Sequence, residues 1–191
     1  IMTGLRIVLG VLAAVIVLVL LFVWSIYNSL VRLNERVNEA WSDITVQLKY
    51  RADLIPNLVE TVKGYAAHES EVFQNVSAAR AGLLSAGDNV KAAAEAENVM
   101  TQALGKLFAV AEAYPELKAN TNFLQLQAEL SDTESKIAFS RQFYNDTVQK
   151  FNTSIEVFPN SLIAGNMGFT PADYFTLQDE PEARETVKVE F

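Results

Sequence analysis

The chain has 191 residues, half of them apolar, a formal net charge of -8 and no cysteine. The apolar content excludes wholesale disorder, and the negative charge disfavours binding to nucleic acid, whose phosphates attract basic surfaces. The absence of thiols excludes disulfides, cysteine nucleophiles, iron–sulfur clusters and cysteine-ligated zinc. We therefore expect a folded protein that has no nucleic-acid partner and no thiol chemistry.

The first feature in chain order is an apolar stretch over residues 7–24, and no charge occurs between Arg6 and Arg32. About 20 helical residues cross the roughly 30 Å hydrocarbon layer of a bilayer. The alternative is a cleaved signal peptide, but its apolar core is shorter, about 7–15 residues, and no A-x-A site follows the stretch here. We predict a transmembrane anchor over residues 1–26 that contacts the lipid bilayer. The positions assigned to the anchor are Ile7, Leu12, Val19, Phe22 and Trp24.

The orientation of this anchor depends on charges that lie on both of its sides. Arg6 precedes the apolar stretch, whereas Arg32 and Arg36 follow it, accompanied by Glu35 and Glu39. Basic residues near a transmembrane helix favour the cytoplasmic side, so Arg32 and Arg36 alone would keep the part of the chain after the anchor in the cytoplasm. Long domains cross membranes largely regardless of charge. We therefore favour a body that faces out of the cytoplasm.

Beyond the anchor, apolar residues recur every three or four positions, the spacing of a helical bundle or coiled coil. One stripe runs from Leu30 to Leu83 without a linker after the anchor, and residues 123–158 carry an apolar residue at every seventh position. We predict an all-α fold in which the transmembrane helix continues into an antiparallel, up-and-down four-helix bundle over residues 27–158. A largely irregular C-terminal tail, residues 159–191, follows the bundle.

Three breaks separate the predicted bundle helices. Glycine often follows the end of a helix and aspartate often caps the start of the next, so Gly87 and Asp88 indicate a break between two helices. Pro115 disfavours helical geometry in Tyr114, and the remaining break falls near Pro56. The predicted helices span about 27–51, 54–85, 88–114 and 121–158.

Pro56 leaves two interpretations open, because a proline inside a helix costs about 3 kcal/mol but is tolerated in the first turn. If one helix ends near Arg51 and the next begins near Asp53, Pro56 falls in a first turn and Arg51 needs no buried partner. The alternative is one kinked helix, because the apolar stripe keeps its phase across the proline. We favour the break. The candidate interaction residues at this bundle end are Arg51, Asp53, Pro56 and Asn57.

No group of residues predicts an active site. His68 is the only histidine, and its place beside Glu69 on a helix surface is typical of a solvated side chain. Di-iron bundles carry Glu-x-x-His on two helices, but Tyr65 precedes His68 by three residues, and no phosphate-binding glycine motif occurs. We interpret Glu69 as a register-setting or subunit-contact residue. We predict no enzyme, no cofactor, no metal site and no small-molecule substrate.

The tail contains helix-breaking glycines and prolines but more apolar residues than a disordered segment needs. We expect it to pack on the bundle or on a neighbouring subunit. Its candidate interaction residues are Phe169, Tyr174, Phe175 and Phe191. Other apolar residues lie off the main helical stripes, namely Leu54, Val59, Phe73, Phe139 and Phe143. Because large exposed apolar patches usually mark interfaces, we predict a homo-oligomer.

Three separated segments resemble the LemA family: YNSLVRLNERVNEAWSDITVQLKYRADLIPNLVETVKGYAAHE, YPELKANTNFLQLQAELSDTESKIAFSRQFYND and FPNSLIAGNMGF. The resemblance covers about residues 25–191. It implies a small bacterial protein, anchored in the inner membrane, with a bromodomain-like four-helix bundle. It supplies no catalytic residue. The genes that accompany family members imply a role in membrane organisation or quality control.

Two hypotheses follow. The first is a non-enzymatic scaffold that is anchored in the membrane and assembles with copies of itself. The second is an adaptor that recruits another membrane protein, such as a quality-control protease. A large homogeneous oligomer would favour the scaffold, and a monomer would favour the adaptor.

Overall fold

The computed structural model describes residues 2–176, and this part of the chain consists of helices joined by short turns, without a β-strand. The helices are α1 (Met2–Lys63), α2 (Ser70–Ser85), α3 (Val90–Glu112), α4 (Pro115–Lys118), α5 (Thr121–Glu156) and α6 (Asn160–Asn166). The all-α class and the long apolar N-terminal helix are therefore confirmed. Phe191 and the rest of the tail beyond residue 176 lie outside the described residues.

α1 is one helix of 62 residues that contains both the apolar stretch and the first part of the predicted bundle. Pro56 lies inside it, so the predicted break between residues 51 and 54 is wrong. The chain turns instead over residues 64–69, where Gly64 follows the last helical residue. The turn is closed by hydrogen bonds from the backbone N–H groups of Tyr65 and Ala66 to the carbonyl oxygen of Val62, at 3.0 and 2.9 Å.

A neighbouring helix explains how α1 tolerates Pro56 in its interior. Proline has no N–H, so the carbonyl four residues earlier, that of Ala52, loses its helical partner. The Nε of Arg80 on α2 donates a hydrogen bond to this carbonyl oxygen at 2.8 Å. Ala52 is fully buried, and a buried carbonyl without a partner would be costly. α2 therefore supplies the donor that the proline removes.

α3 and α5 begin and end near the predicted breaks. α2 begins at residue 70 rather than 54, and the short helices α4 and α6 lie where a turn and an irregular tail were expected. Gly87 has a φ of +54°, a left-handed conformation that suits glycine after a helix. The cap of α3 is Asn89, one residue after the predicted Asp88, and its Oδ1 accepts a hydrogen bond from the N–H of Ala92 at 3.0 Å. α3 and α5 occupy residues 90–112 and 121–156, against predicted ranges of 88–114 and 121–158.

The described residues form two compact units. The first unit holds residues 2–39 and 146–172, which come from α1, α5 and α6. Its core is built from the buried side chains Leu30, Val37, Val148, Phe151, Ile155 and Ala164.

The second unit holds residues 40–145 and 173–176. Here α1 and α5 run antiparallel, because Tyr50 contacts Glu129 whereas the later Thr61 contacts the earlier Asn122. The core includes Ile44, Leu48, Leu58, Val62, Val76, Met100, Leu107, Leu117 and Ile137. Residues off the predicted stripe are buried as well, namely Leu54, Val59 and Phe73. The core of this unit is therefore wider than a single stripe.

Candidate functional site

A layer of polar groups lies inside the second unit, at the level of residues 51 and 52 of α1. We call it the polar layer, and it consists of Arg51, the carbonyl of Ala52, Arg80 and Glu97. Arg51 and Glu97 are only 3% and 2% exposed, and an Nη of Arg51 donates a hydrogen bond to a carboxylate oxygen of Glu97. α1, α2 and α3 each contribute a group, so the layer joins three helices.

Glu97 has an altered proton affinity in this setting. Burial raises its pKa to about 7 from an ordinary value of 4.5, because the charged carboxylate is taken out of water. The positive charge of Arg51 opposes this rise, and the negative charge of Glu134 on α5 adds to it. Glu97 can therefore gain or lose a proton near neutral pH.

The hydrogen bonding of this ion pair is incomplete. Within the part of the chain that the structure describes, the Nε of Arg51 and the second carboxylate oxygen of Glu97 have no hydrogen-bond partner. A buried ion pair with open polar atoms adds little net stability compared with an apolar core. Removing only one partner is more harmful, because it leaves an isolated buried charge.

The predicted position of Arg51 is wrong, and Glu97 was not among the predicted site residues. Arg51 was expected at a bundle end without a buried partner, but it lies inside α1 and pairs with Glu97. A signal for Glu97 was present, since it lies seven residues after Val90 and seven before Leu104, on the apolar register of α3. A carboxylate on a core register predicts a buried cation on a facing helix.

The other candidates on α1 lie apart from this pair. Asp53, Pro56 and Asn57 are exposed, whereas Arg51 is buried. Their spacing of three and four residues places the three on one helix face. The structure therefore does not bring Arg51 together with Asp53, Pro56 and Asn57.

Glu69 is half-buried directly before α2, and its side chain makes no capping hydrogen bond there. His68 beside it is exposed. Among the described residues, no three His, Asp or Glu side chains are grouped so that they could hold a metal ion.

Phe175 is fully buried in the second unit. Its ring lies 5.8 Å from that of Trp41, which lies 5.5 Å from the ring of Tyr144. The side-chain amide of Asn145 on α5 bonds both backbone groups of Phe175. It donates to the carbonyl at 3.0 Å and accepts from the N–H at 2.9 Å. The expectation that a single chain leaves these aromatic residues partly in water is wrong for Phe175, because α1 and α5 cover it.

Tyr144 carries a second contact to the same segment. Its hydroxyl donates to the backbone carbonyl of Asp173 at 2.7 Å. Burial raises the pKa of Tyr144 to about 12, and the negative charge of Asp173 adds to the rise. Tyr144 is therefore a neutral hydrogen-bond donor at physiological pH. Tyr174, the neighbour of Phe175, is half-buried.

The first unit contains a matching contact. Asn152 on α5 donates to the carbonyl of Ala172 at 3.0 Å and accepts from its N–H at 2.8 Å. Half-buried Phe169 lies with its ring 6.0 Å from that of Tyr27 on α1 and 6.4 Å from that of Phe151 on α5. Asn145 and Asn152 lie one heptad apart and each bind one residue of the segment that follows α6.

The predicted anchor residues lie along the N-terminal part of α1. This is the one helix among the described residues that is long and apolar enough to cross a membrane, judged by length and composition. The apolar side chains of this part of α1 are exposed on the surface of the protein. They include Ile7, Leu12, Val19, Phe22 and Trp24. A water-soluble helix would hide such side chains, so their exposure fits contact with lipid.

Comparison with known proteins gives one family and several relatives. Residues 40–191 match the LemA family. The magnetosome proteins MamQ 2 and MamQ 1 of Paramagnetospirillum magneticum are each 27% identical over 180 residues, which cover 81% of this chain and 65% of theirs. Protein LemA of Metamycoplasma hominis is 26% identical over 137 residues, which cover 72% of this chain and 63% of its own. The chain thus spans less than two thirds of the length of these relatives.

Proposed function

Because the chain belongs to the LemA family, we propose that it is a non-enzymatic helical scaffold. Its N-terminal helix anchors it in a bacterial inner membrane, and its helices form a four-helix bundle that assembles with copies of itself. Membrane organisation is the process that this role fits best, since relatives of the chain are magnetosome proteins by name. None of the relatives' names is the name of an enzyme.

One observation carries the proposal: the apolar stretch and the core-forming stretch belong to the same helix. α1 runs from Met2 to Lys63, so no linker separates residues 7–24 from the buried positions Leu30 and Val37. An adaptor that searches for partners would gain reach from a flexible linker. A scaffold gains from the opposite arrangement, because helices that leave the bilayer directly are already oriented for lateral contact.

Two pairs of exposed apolar residues in the second unit support the assembly step. Val46 and Tyr50 are both exposed and lie one turn apart on α1. Phe139 and Phe143 are likewise exposed and lie one turn apart on α5. Phe139 is 74% exposed. Aromatic residues are enriched in the cores of protein interfaces, and a second copy brought in by its own anchor presents the same four residues.

The anchor is tested by placing a charge in the middle of the apolar stretch. Val19→Arg should release the protein from membranes or block its insertion, because a charge at the helix centre costs about 2.5–3.5 kcal/mol. The measurement is the fraction of full-length protein that sediments with membranes after a carbonate wash. Ser42→Arg is the control, because Ser42 is exposed on the same helix and lies outside both the apolar stretch and the proposed assembly surface. Complete retention of the Val19→Arg protein would contradict the anchor.

The assembly is tested with a matched pair of substitutions on α5. Phe139→Ser should shift the native mass in mild detergent towards the monomer, because it removes an exposed aromatic ring from the proposed interface. Leu124→Ser, also exposed on α5, should leave the mass unchanged. The chain has no cysteine, so Gln142→Cys allows the same comparison by cross-linking in native membranes.

A specific observation keeps the adaptor as the second candidate function. Asp53, Pro56 and Asn57 share one exposed face of α1, which a partner membrane protein could contact. A full-length protein that stays monomeric in mild detergent, and that gives no cross-link through Gln142→Cys in membranes, would reject self-assembly and favour the adaptor.

A further inference from the structure

An uncharged segment follows α5 in the first unit. Residues 157–172 contain no Asp, Glu, Lys, Arg or His, although one residue in five of the whole chain is charged. We call this segment the elbow. It contains α6 and has exposed apolar side chains at Val157, Phe158, Leu162 and Met167. Phe158 is 80% exposed, which is unfavourable for a phenyl ring that faces water.

The elbow lies beside the end of the apolar stretch of α1. Phe169 of the elbow contacts Tyr27, with the ring centroids 6.0 Å apart. Tyr27 follows Trp24, the last residue of the apolar stretch, by three residues, and this corresponds to about 4.5 Å along a helix. Both rings and the elbow belong to the same unit. The elbow is therefore level with the point where α1 leaves the apolar stretch.

Bilayer dimensions identify what surrounds this level. The hydrocarbon core is about 30 Å thick, and the whole bilayer is about 40–45 Å thick. Residues 7–24 span about 27 Å as a helix, so Trp24 reaches the edge of the hydrocarbon. Tyr27 then lies among the lipid headgroups, which leaves the exposed side chains of the elbow in the same layer.

We infer that the elbow is a second membrane contact, which inserts Phe158, Leu162 and Met167 into the headgroup and acyl boundary. This inference rests on the proposed insertion of α1. Binding at this interfacial layer strengthens with the apolar area that is buried in it, and the elbow carries no charge that would resist transfer. The occupant is lipid rather than a second copy, because the surface continues the lipid-facing stretch of α1 at the level of the headgroups.

The experiment uses nitroxide labels on single cysteines introduced into the full-length, cysteine-free chain. The protein is reconstituted into vesicles of phosphatidylethanolamine and phosphatidylglycerol, and each label is probed by oxygen, which enters lipid, and by a nickel chelate, which stays in water. Leu162→Cys reports the elbow, and Val19→Cys reports insertion of α1. Lys150→Cys is the control, because it is exposed on α5 of the same unit and lies before the elbow.

The expected result is an oxygen-to-nickel ratio that is severalfold higher at Leu162 than at Lys150, with the highest ratio at Val19. A lipid-like ratio at Val19 with a water-like ratio at Leu162 would overturn the elbow contact and leave the anchor intact. Water-like ratios at both positions would overturn the anchor and with it this inference. A Leu162 label that neither probe reaches would overturn the inference in favour of a protein–protein contact.

Discussion

The two units handle polar groups in different ways. In the second unit, Arg51 and Glu97 bring opposite charges into a buried layer, and two of their atoms have no hydrogen-bond partner among the described residues. In the first unit, residues 157–172 contain no charge, and one neutral amide, that of Asn152, pairs both backbone groups of Ala172. The stability of the second unit therefore depends on ionisation, whereas the hydrogen bonds of the elbow do not titrate.

This difference has a physical reason. A charge in a water-excluded core needs a partner, and that need selects which helices can face each other. A segment at a membrane surface has the opposite requirement, because each charge would resist transfer into the bilayer. The polar layer thus specifies contacts within the protein, and the elbow is suited to contact with the surroundings.

The largest effect that separates the two regions is expected from Arg51→Met. This change removes the cation that lowers the pKa of Glu97, so the buried carboxyl takes up a proton at neutral pH and loses its partner. Breaking a buried pair in this way costs about 3–5 kcal/mol. The measurement is unfolding of the full-length protein by denaturant in detergent, followed by circular dichroism. Lys150→Met, an exposed cation in the first unit, should change the free energy of unfolding by less than about 0.5 kcal/mol.

The double variant Arg51→Met/Glu97→Leu is the control for this prediction. Replacing a buried ion pair by apolar residues is often neutral or stabilising, so the double variant should recover most of the stability. If the Arg51→Met protein were as stable as the wild type, the ion pair would be in contact with water. The second unit would then not depend on a buried charge pair, and the two units would not differ in this respect.

The second effect is a dependence of stability on pH. The pKa of Glu97 is about 7 in the folded chain and 4.5 as the ordinary value, so the folded state binds the proton more tightly. The contribution of Glu97 to stability should therefore be largest below about pH 4.5 and be lost as the pH rises to about 7, by up to about 3 kcal/mol. Glu97→Gln should remove this part of the slope. A slope that persists unchanged in Glu97→Gln would assign the effect to other groups.

A smaller effect is expected at the two asparagines of α5. Asn145→Ala and Asn152→Ala each remove two hydrogen bonds to a part-buried backbone segment, which corresponds to about 1–3 kcal/mol. Asn75→Ala, at an exposed position of α2, should change stability by less than about 0.5 kcal/mol. If both α5 variants behave like Asn75→Ala, the segment after α6 is not held by these amides.

The smallest effect is a coupling between Pro56 and Arg80. Arg80→Met leaves the carbonyl of Ala52 without its donor, at a cost of about 1–3 kcal/mol. In a Pro56→Ala background, the restored N–H can bond that carbonyl, so the same change should cost about 1 kcal/mol less. The measurement is a double-mutant cycle by denaturant unfolding. Equal costs in both backgrounds would mean that Arg80 does not compensate for the proline.

The sequence predicts a helix and its ends well where residues within that helix, or directly beside it, determine them. The heptad spacing from Phe123 to Phe158 indicates α5, and the glycine at residue 87 indicates the turn after α2. Pro56 is different, because its effect depends on Arg80, which lies 24 residues further along the chain and on another helix. Local propensity assigned the proline to a helix start, whereas the tertiary hydrogen bond allows it in the middle.

The candidate site was less predictable for a related reason. Arg51 and Glu97 are each unremarkable in their local sequence, and only their pairing across 46 residues makes them a buried layer. The burial of Phe175 also depends on contacts that no local pattern shows, because Trp41 and Asn145 lie on two different helices. The exposed face with Asp53 and Asn57 follows from helical spacing alone once α1 is known to be continuous.

The hydrogen bond from Arg80 to the carbonyl of Ala52 has a consequence for the order of folding. Until α2 docks, α1 lacks one hydrogen bond at Pro56, so the segment from residue 52 to residue 63 is disfavoured as an isolated helix. Docking of α2 supplies the donor and removes this penalty. Helix formation and helix association are therefore linked at this point, and we expect the end of α1 to become ordered together with α2, as one cooperative step rather than two.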